Sequence, residues 1–384
     1  MKTKKIFHAG ITGICMMLTM SVTVSCLDSD EKTITIETPT TGIPDDSEAS
    51  PNPQIDYATT NIPNIQTTME DINGVPVIRI DMTGVKNPNE AAWLRLVGTG
   101  YDDQNVWVEV DDMPKGILVY NNSDDNITNI MTDIVFTVDN SGSMSEEADA
   151  IARDIVSWAE QLSSSGINPK FGVVGYEGPI TGAINLTNVE ELSTFLNSNG
   201  TGTQRTFHFG GADANRLQTA VSNYNPGGYC ECGACAIQFA NDNFSFRNSA
   251  NRIYVNFTDE PNQPNYKSQF SVKYFEDQNN WPSYKGTVHT VYSSSRFSNN
   301  SWNSSEQPWL ISEYTGGTTL FTSSSFSGVT LSSLPVTGAM QNSYIIKFTN
   351  IDTLIDGKTH TVHITIKSKD GTICADKIFY IIFN

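Results

Sequence analysis

Asp139-Asn140-Ser141-Gly142-Ser143 sets one carboxylate and two hydroxyls at alternate positions of a short turn. Oxygen donors spaced in this way can point at one spot, and hard donors suit a dication such as Mg²⁺, Mn²⁺ or Ca²⁺. The flanks agree with a site. Residues 133–138 read as a core strand of a parallel sheet, apolar on both faces. Beyond Ser145, Ile151, Ile155, Ala159 and Leu162 recur at helical spacing. Open α/β sheets bind ligands at the carboxyl ends of their strands, which is where this turn falls. The sequence holds no Gly-x-Ser-x-Gly elbow, no His-Glu-x-x-His pair and no phosphate-cradling loop. Ser141 and Ser143 have no histidine near them in sequence to serve as base. His208, His289, His360 and His363 are scattered, as surface or strand residues would be. Binding rather than catalysis is expected, and a metal-dependent hydrolase is the remote alternative.

The surrounding elements must position that turn. From 129 to 339 strands alternate with helices. The strands are 171–176, 253–257 and 287–292. The helices are 146–163, 188–197, 212–224, 233–245 and 266–278, with Thr187-Asn188-Val189-Glu190 as a capping box. Such an order implies a doubly wound, mainly parallel sheet. On either side the period changes to two. Ile78, Ile80 and Met82 alternate with polar residues, as do Val106, Val108 and Val110, then Tyr344, Ile346 and Phe348, then Val362, Ile364 and Ile366. Asp356-Gly357 and Asp370-Gly371 are hairpin turn signals. Neither β segment has enough strands to stand alone. The fold class expected is therefore α/β, a doubly wound parallel sheet inserted into a smaller antiparallel, sandwich-like β domain built from 66–128 and 340–384. Residues 26–65, rich in Thr, Ser, Pro, Asn and Asp, read as a flexible tether.

Three pieces taken together resemble a von Willebrand factor type A domain. They are Asp139-x-Ser141-x-Ser143 after a hydrophobic strand, Thr258-Asp259 at the end of a later strand, and Gly227-Gly228-Tyr229-Cys230-Glu231 before a helix. The resemblance covers roughly 200 residues. It implies a metal-ion-dependent adhesion site in which Asp139 and Asp259 carry the charge, often through water. Ser141, Ser143 and Glu231 coordinate more directly, and one position stays open for an acidic group of a partner protein. A glutamate in the third loop is similar to the integrin β-subunit version. Glu146 and Glu147 match in position the acidic pair of a neighbouring Ca²⁺ site there, so a second site would use them. Relatives switch affinity by moving their last helix, which here would lie in 304–340. Each piece also has a structural reading. Ser143-x-x-Glu146 is itself a capping box, Glu231 could answer a helix dipole, and Thr258-Asp259 could be a turn.

The chain has 384 residues with 42 acidic and 23 basic ones. Lys2, Lys4 and Lys5 precede an apolar run over 11–24, an export signal over residues 1–25. Thr23-Val24-Ser25-Cys26 resembles a bacterial lipobox, with Cys26 as the acylated residue. Losing residues 1–25 removes three lysines and no acid, taking the net charge from −19 to −22. Nucleic acid is excluded by that charge. No further stretch is long and apolar enough to span a bilayer, so lipid is the expected anchor. Leu27-Asp28-Ser29-Asp30-Glu31 resembles the acidic export tag of Bacteroidetes surface lipoproteins, and the resemblance implies a place at the outer membrane and its exterior. Outside the cytoplasm two of Cys230, Cys232 and Cys235 would pair as a disulfide. A Zn²⁺ site from these three and His208 is the alternative. The expected function is a surface lipoprotein that binds a macromolecule through a divalent cation. An assembly subunit, such as a fimbrial tip component, is the second reading.

Overall fold

The computed structural model describes residues 41–90, 92–124, 130–198, 220, 223–228, 230–293, 304–323 and 326–383. Residues 1–25, Cys26, the acidic run after it, His208 and nearly all of the helix expected over 212–224 lie outside the described residues.

The long strand expected before Asp139 is β6, and the strands are numbered here in chain order. β6 (Ile130–Asp139) is apolar on both sides because both sides are covered. Ile134, Phe136 and Val138 enter one hydrophobic core and Val135 enters another. It pairs in parallel with β7 (Ile167–Tyr176) and with β9 (Asn251–Thr258). β10 (Thr287–Tyr292) and β11 (Thr319–Phe321) extend the sheet in parallel beyond β9, and β8 (Ile180–Thr187) closes the β7 edge antiparallel. The result is a mixed α/β layer with a six-stranded, mostly parallel sheet ordered β11-β10-β9-β6-β7-β8. The helices are α1 (Ser145–Ser164), α2 (Val189–Ser198), α3 (Gly233–Asn243), α4 (Pro308–Thr315) and α5 (Pro335–Gln341). Apolar side chains of α1, α2 and α5 share the core of Phe136, and those of α3 and α4 share the core of Val135. In α1 the predicted stripe, Ala159 with the large side chains of Ile151, Ile155 and Leu162, is buried, and Trp158 adds a further large side chain. Each such side chain contributes roughly 1.5–3 kcal/mol on burial. The indole of Trp158 also donates to Thr337 Oγ1 at 2.9 Å, which fixes α5 against α1.

Two four-stranded antiparallel sheets form a second layer pair. One has the order β1-β2-β12-β5, from β1 (Ile65–Ile72), β2 (Val75–Met82), β12 (Tyr344–Phe348) and β5 (Leu118–Asn121). The other has the order β14-β13-β3-β4, from β14 (Cys374–Ile381), β13 (His360–Lys367), β3 (Val106–Val110) and β4 (Met113–Pro114). Ile78, Ile80, Ile346 and Phe348 of the first meet Val106, Val108, Val362 and Ile364 of the second in one core. Each sheet takes strands from both ends of the chain. The α/β layer is entered after Asn121 of β5 and left just before Tyr344 of β12, which are register partners.

Several expectations are corrected. Residues 41–64 are not a free tether. Asn52 bonds to Glu109, His363 and Thr365, Asp46 pairs with Lys115, Thr59 bonds to Cys374, and Ile62 sits in the β core. The polar side chains that suggested solvation are spent on sheet backbone and side chains. No helix spans 266–278. Ser271 takes an extended conformation and accepts from Lys273 N, so the segment breaks into 3₁₀ turns at Ser268–Phe270 and Val272–Phe275. The cap of α2 is Asn188 rather than Thr187. Asn188 Oδ1 accepts from Glu191 N at 2.8 Å, while the Thr187 hydroxyl bonds to the Glu191 carboxylate.

Among the described residues no helix is long and apolar enough to cross a membrane.

Candidate metal centre

Strand order assembles the site. Val138 of β6 is register partner to Phe257 of β9, so Asp139 arrives beside Thr258 and Asp259 at the carboxyl ends of adjacent strands. Glu231 comes from the segment before α3. That helix begins with Gly233 directly over Asn256 of β9, and a Cβ there would lie 2.7 Å from the Asn256 amide. Cys232 caps nothing. The cap is supplied from outside the helix by Asn262, whose Oδ1 accepts from Ala234 N at 3.1 Å and from the Cys232 thiol at 3.3 Å. The Glu231 segment is then held on both sides, Cys230 O by Gly178 N at 3.0 Å and Glu231 O by Gln263 N at 2.9 Å.

Ligand atoms of Asp139, Glu231 and Asp259 lie within 4.8 Å of one another. Asp139 is wholly buried. Its Oδ1 accepts from Ser141 N at 2.9 Å and its Oδ2 from Thr258 Oγ1 at 3.3 Å. Among the described residues Glu231 Oε2 has no hydrogen-bond partner. Burial, then the charge of Glu231, holds the Asp139 carboxyl well above the usual carboxylate range. Burial, then the charges of Asp259, Glu260 and Glu177, pushes Glu231 up to about 7. Among the described residues no lysine or arginine forms an ion pair with Asp139 or Glu231. Three crowded carboxylates, two of them with raised proton affinity, are what a dication would relieve.

The two hydroxyls belong to the same mouth. Ser141 Oγ and Ser143 Oγ are 2.9 Å apart. The structural reading of Ser143 as a helix cap fails, because α1 starts after Met144 and makes no side-chain cap bond. The donor set is thus carboxylate and hydroxyl oxygen, which fits Mg²⁺, Mn²⁺ or Ca²⁺ and not a thiophilic metal.

Among the described residues Glu146 and Glu147 gather no third ligand. Glu146 is exposed, while Glu147 is fully buried, and among the described residues neither of its carboxylate oxygens has a hydrogen-bond partner. The nearby Ser293 hydroxyl donates to Met144 Sδ at 3.5 Å instead. Burial pushes the Glu147 carboxyl up to about 7.

The expected disulfide is absent: Cys230, Cys232 and Cys235 are free thiols. The reason is local, since Cys232 Sγ points at Asn262 and the Phe270 carbonyl rather than at another sulfur. Nor do these three cysteines gather as a metal cluster among the described residues.

Sequence reasoning missed the floor and the rim. Tyr176 Oη donates to Asn256 Oδ1 at 3.1 Å, which also accepts from Thr137 Oγ1 at 2.9 Å, so a buried polar net lies close beneath Asp139. Glu177 and Glu260 each follow a strand end by one or two residues. That position was the available signal for both. No protein-family model matches the chain, and no curated protein matches it.

Proposed function

We propose that the α/β layer is a von Willebrand factor type A domain whose Asp139, Glu231 and Asp259 carboxylates hold a divalent cation, with Mg²⁺ first among candidates, and that the chain binds a protein partner there. Ser141 and Ser143 supply neutral donors, and an acidic side chain of the partner fills the remaining position. The observation that carries this reading is the convergence of three carboxylates, from three separate turns, within 4.8 Å and beside two hydroxyls. Such crowding costs free energy in the metal-free fold and has a use when an ion is bound. The lipid anchor at Cys26 and display at the outer membrane surface belong to the same proposal.

Calorimetric titration of the purified protein with Mg²⁺, Mn²⁺ and Ca²⁺ tests it. Wild type should take up one of these ions with release of protons, and Asp139→Ala should take up none. Equal heats from the two proteins would remove the reading.

A second reading, as an assembly subunit, draws on the double connection between the layers. The chain enters the α/β layer from β5 and returns to β12, its neighbour in the same sheet, which suits a part that carries load. Co-purification with a polymeric fibre would favour it.

A further inference from the structure

Tyr266 is the most exposed of the large hydrophobic side chains described, at 103%. It is held out in solvent by a turn that does not suit it. Lys267 N donates to Pro264 O at 3.0 Å, and the two central residues, Asn265 and Tyr266, have φ of 48° and 64°. Two left-handed central residues make a type I′ turn, whose second central place normally goes to glycine. A bulky aromatic there is a backbone outlier, and the conformation persists because the surroundings impose it.

Those surroundings are the loop that carries Glu231. Gln263 N bonds to Glu231 O, Asn265 Nδ2 bonds to Pro226 O at 3.0 Å, and Lys267 Nζ bonds to Asn225 O at 2.6 Å. Residues on both sides of Tyr266 are thus tied to the 225–231 segment, and Tyr266 itself faces outward. The same loop begins at Asp259, and Asn262 within it caps α3. Tyr266 stands three residues from Gln263, at most about 11 Å of chain from a residue bonded to the Glu231 backbone. Tyrosine is a common anchor of protein interfaces because it offers a large rigid surface at low entropic cost.

We infer that Tyr266 is the aromatic contact on which a protein partner of the metal site lays a flat or aliphatic side chain. The inference rests on the metal-site reading above and names a residue that determines which partners fit. Random peptides displayed on phage, captured by the purified protein in Mg²⁺ and released with EDTA, supply the probe. Binding of the resynthesised peptides to wild type, Tyr266→Phe, Tyr266→Ala and Tyr266→Gly is then measured. Tyr266→Phe keeps the ring and should bind as wild type. Tyr266→Ala and Tyr266→Gly should each weaken binding about tenfold or more with Mg²⁺ affinity unchanged. Tyr266→Gly should also unfold at a higher temperature than wild type, since glycine accepts the turn. A merely structural tyrosine would give the opposite pattern, lowered thermal stability with peptide affinity intact. Peptides indifferent to the loss of the ring overturn the inference alone. Failure to recover any peptide released by EDTA overturns the metal-site reading and this inference with it.

Discussion

Strand β6 carries a buried aspartate near each end, and the chain treats them differently. Asp133 is fully buried, and its two oxygens take Arg247 Nε and Arg247 N, both at 2.7 Å. Arg247 in turn bonds the Thr132 and Asn168 carbonyls. Asp139 is as deeply buried, and what surrounds it is more carboxylate. The β layer follows the first pattern. There Glu70 and Asp81 share Arg79, and Lys347 reaches Glu70 as well. So this chain can supply an internal cation where a buried acid needs one, and among the described residues none pairs with Asp139 or Glu231. The difference is what the proposed metal site would require, a charge brought to the carboxyl end of β6 from outside the chain.

The largest expected effect comes from removing the internal cation. Arg247→Ala leaves Asp133 buried with a backbone N–H but no counter-charge from residue 247, and should cost about 3 kcal/mol in denaturant unfolding. Asp139→Asn in metal-free protein should do the reverse and raise stability, since it removes charge from a crowd. A loss of stability in metal-free Asp139→Asn as large as that of Arg247→Ala would erase the distinction between the two ends.

Next is the ion itself. An ion that binds the folded chain stabilises it by about 2.7 kcal/mol at a hundredfold excess over its dissociation constant. Mg²⁺ should raise the unfolding temperature of wild type and of Arg247→Ala alike, and leave Asp139→Asn unmoved. A thermal shift series reads all three.

A smaller effect should appear with pH. Glu231 and Glu147 both sit at about 7 in the folded chain, above the ordinary glutamate value of 4.5. The folded state therefore binds more protons than the unfolded one between those values. The stability this confers is complete below about 4.5 and is lost as pH rises through about 7. Metal-free protein should melt at falling temperatures from about pH 5 to 8, and Mg²⁺ should flatten that fall because it takes the place of the protons. Glu147→Gln should flatten it in part without metal. A metal-free melting profile that rises over this range would mean that the acids are not crowded.

Much of the fold was legible because period reports burial. The two-sided apolar run of 133–138, the stripe from Ile151 to Leu162 and the alternation around Ile80 and Ile364 each correspond to an observed element. The motif around Asp139 was legible for the same reason, since it follows a strand that had to be central. What spacing does not show is which distant turn comes alongside. Glu231 reaches Asp139 because Gly233 lets α3 start over Asn256 and Asn262 caps it from another loop, and neither contact leaves a periodic trace. Composition misled at residues 41–64, where Asn52, Asn61 and Asn64 look solvated yet bond carbonyls of the folded chain. It misled again over 266–278, where one serine hydroxyl accepting from the Lys273 backbone N–H outweighs the apolar spacing.

Ser143 gives the finest division between the two ends of β6. As a helix cap its hydroxyl would belong to the scaffold, like Arg247, and Ser143→Ala would cost about 1 kcal/mol whether or not metal is present. The helix makes no such bond, and the Ser143 hydroxyl meets Ser141 at the mouth of the site. Ser143→Ala should therefore leave metal-free stability within about 0.5 kcal/mol of wild type. Mg²⁺ affinity should fall by roughly tenfold, about 1.4 kcal/mol, with a neutral ligand lost and all three carboxylates kept. Denaturant unfolding without metal and calorimetry with it separate the two roles. Lowered stability with unchanged affinity would return Ser143 to the scaffold and leave the carboxylates as the whole of the site.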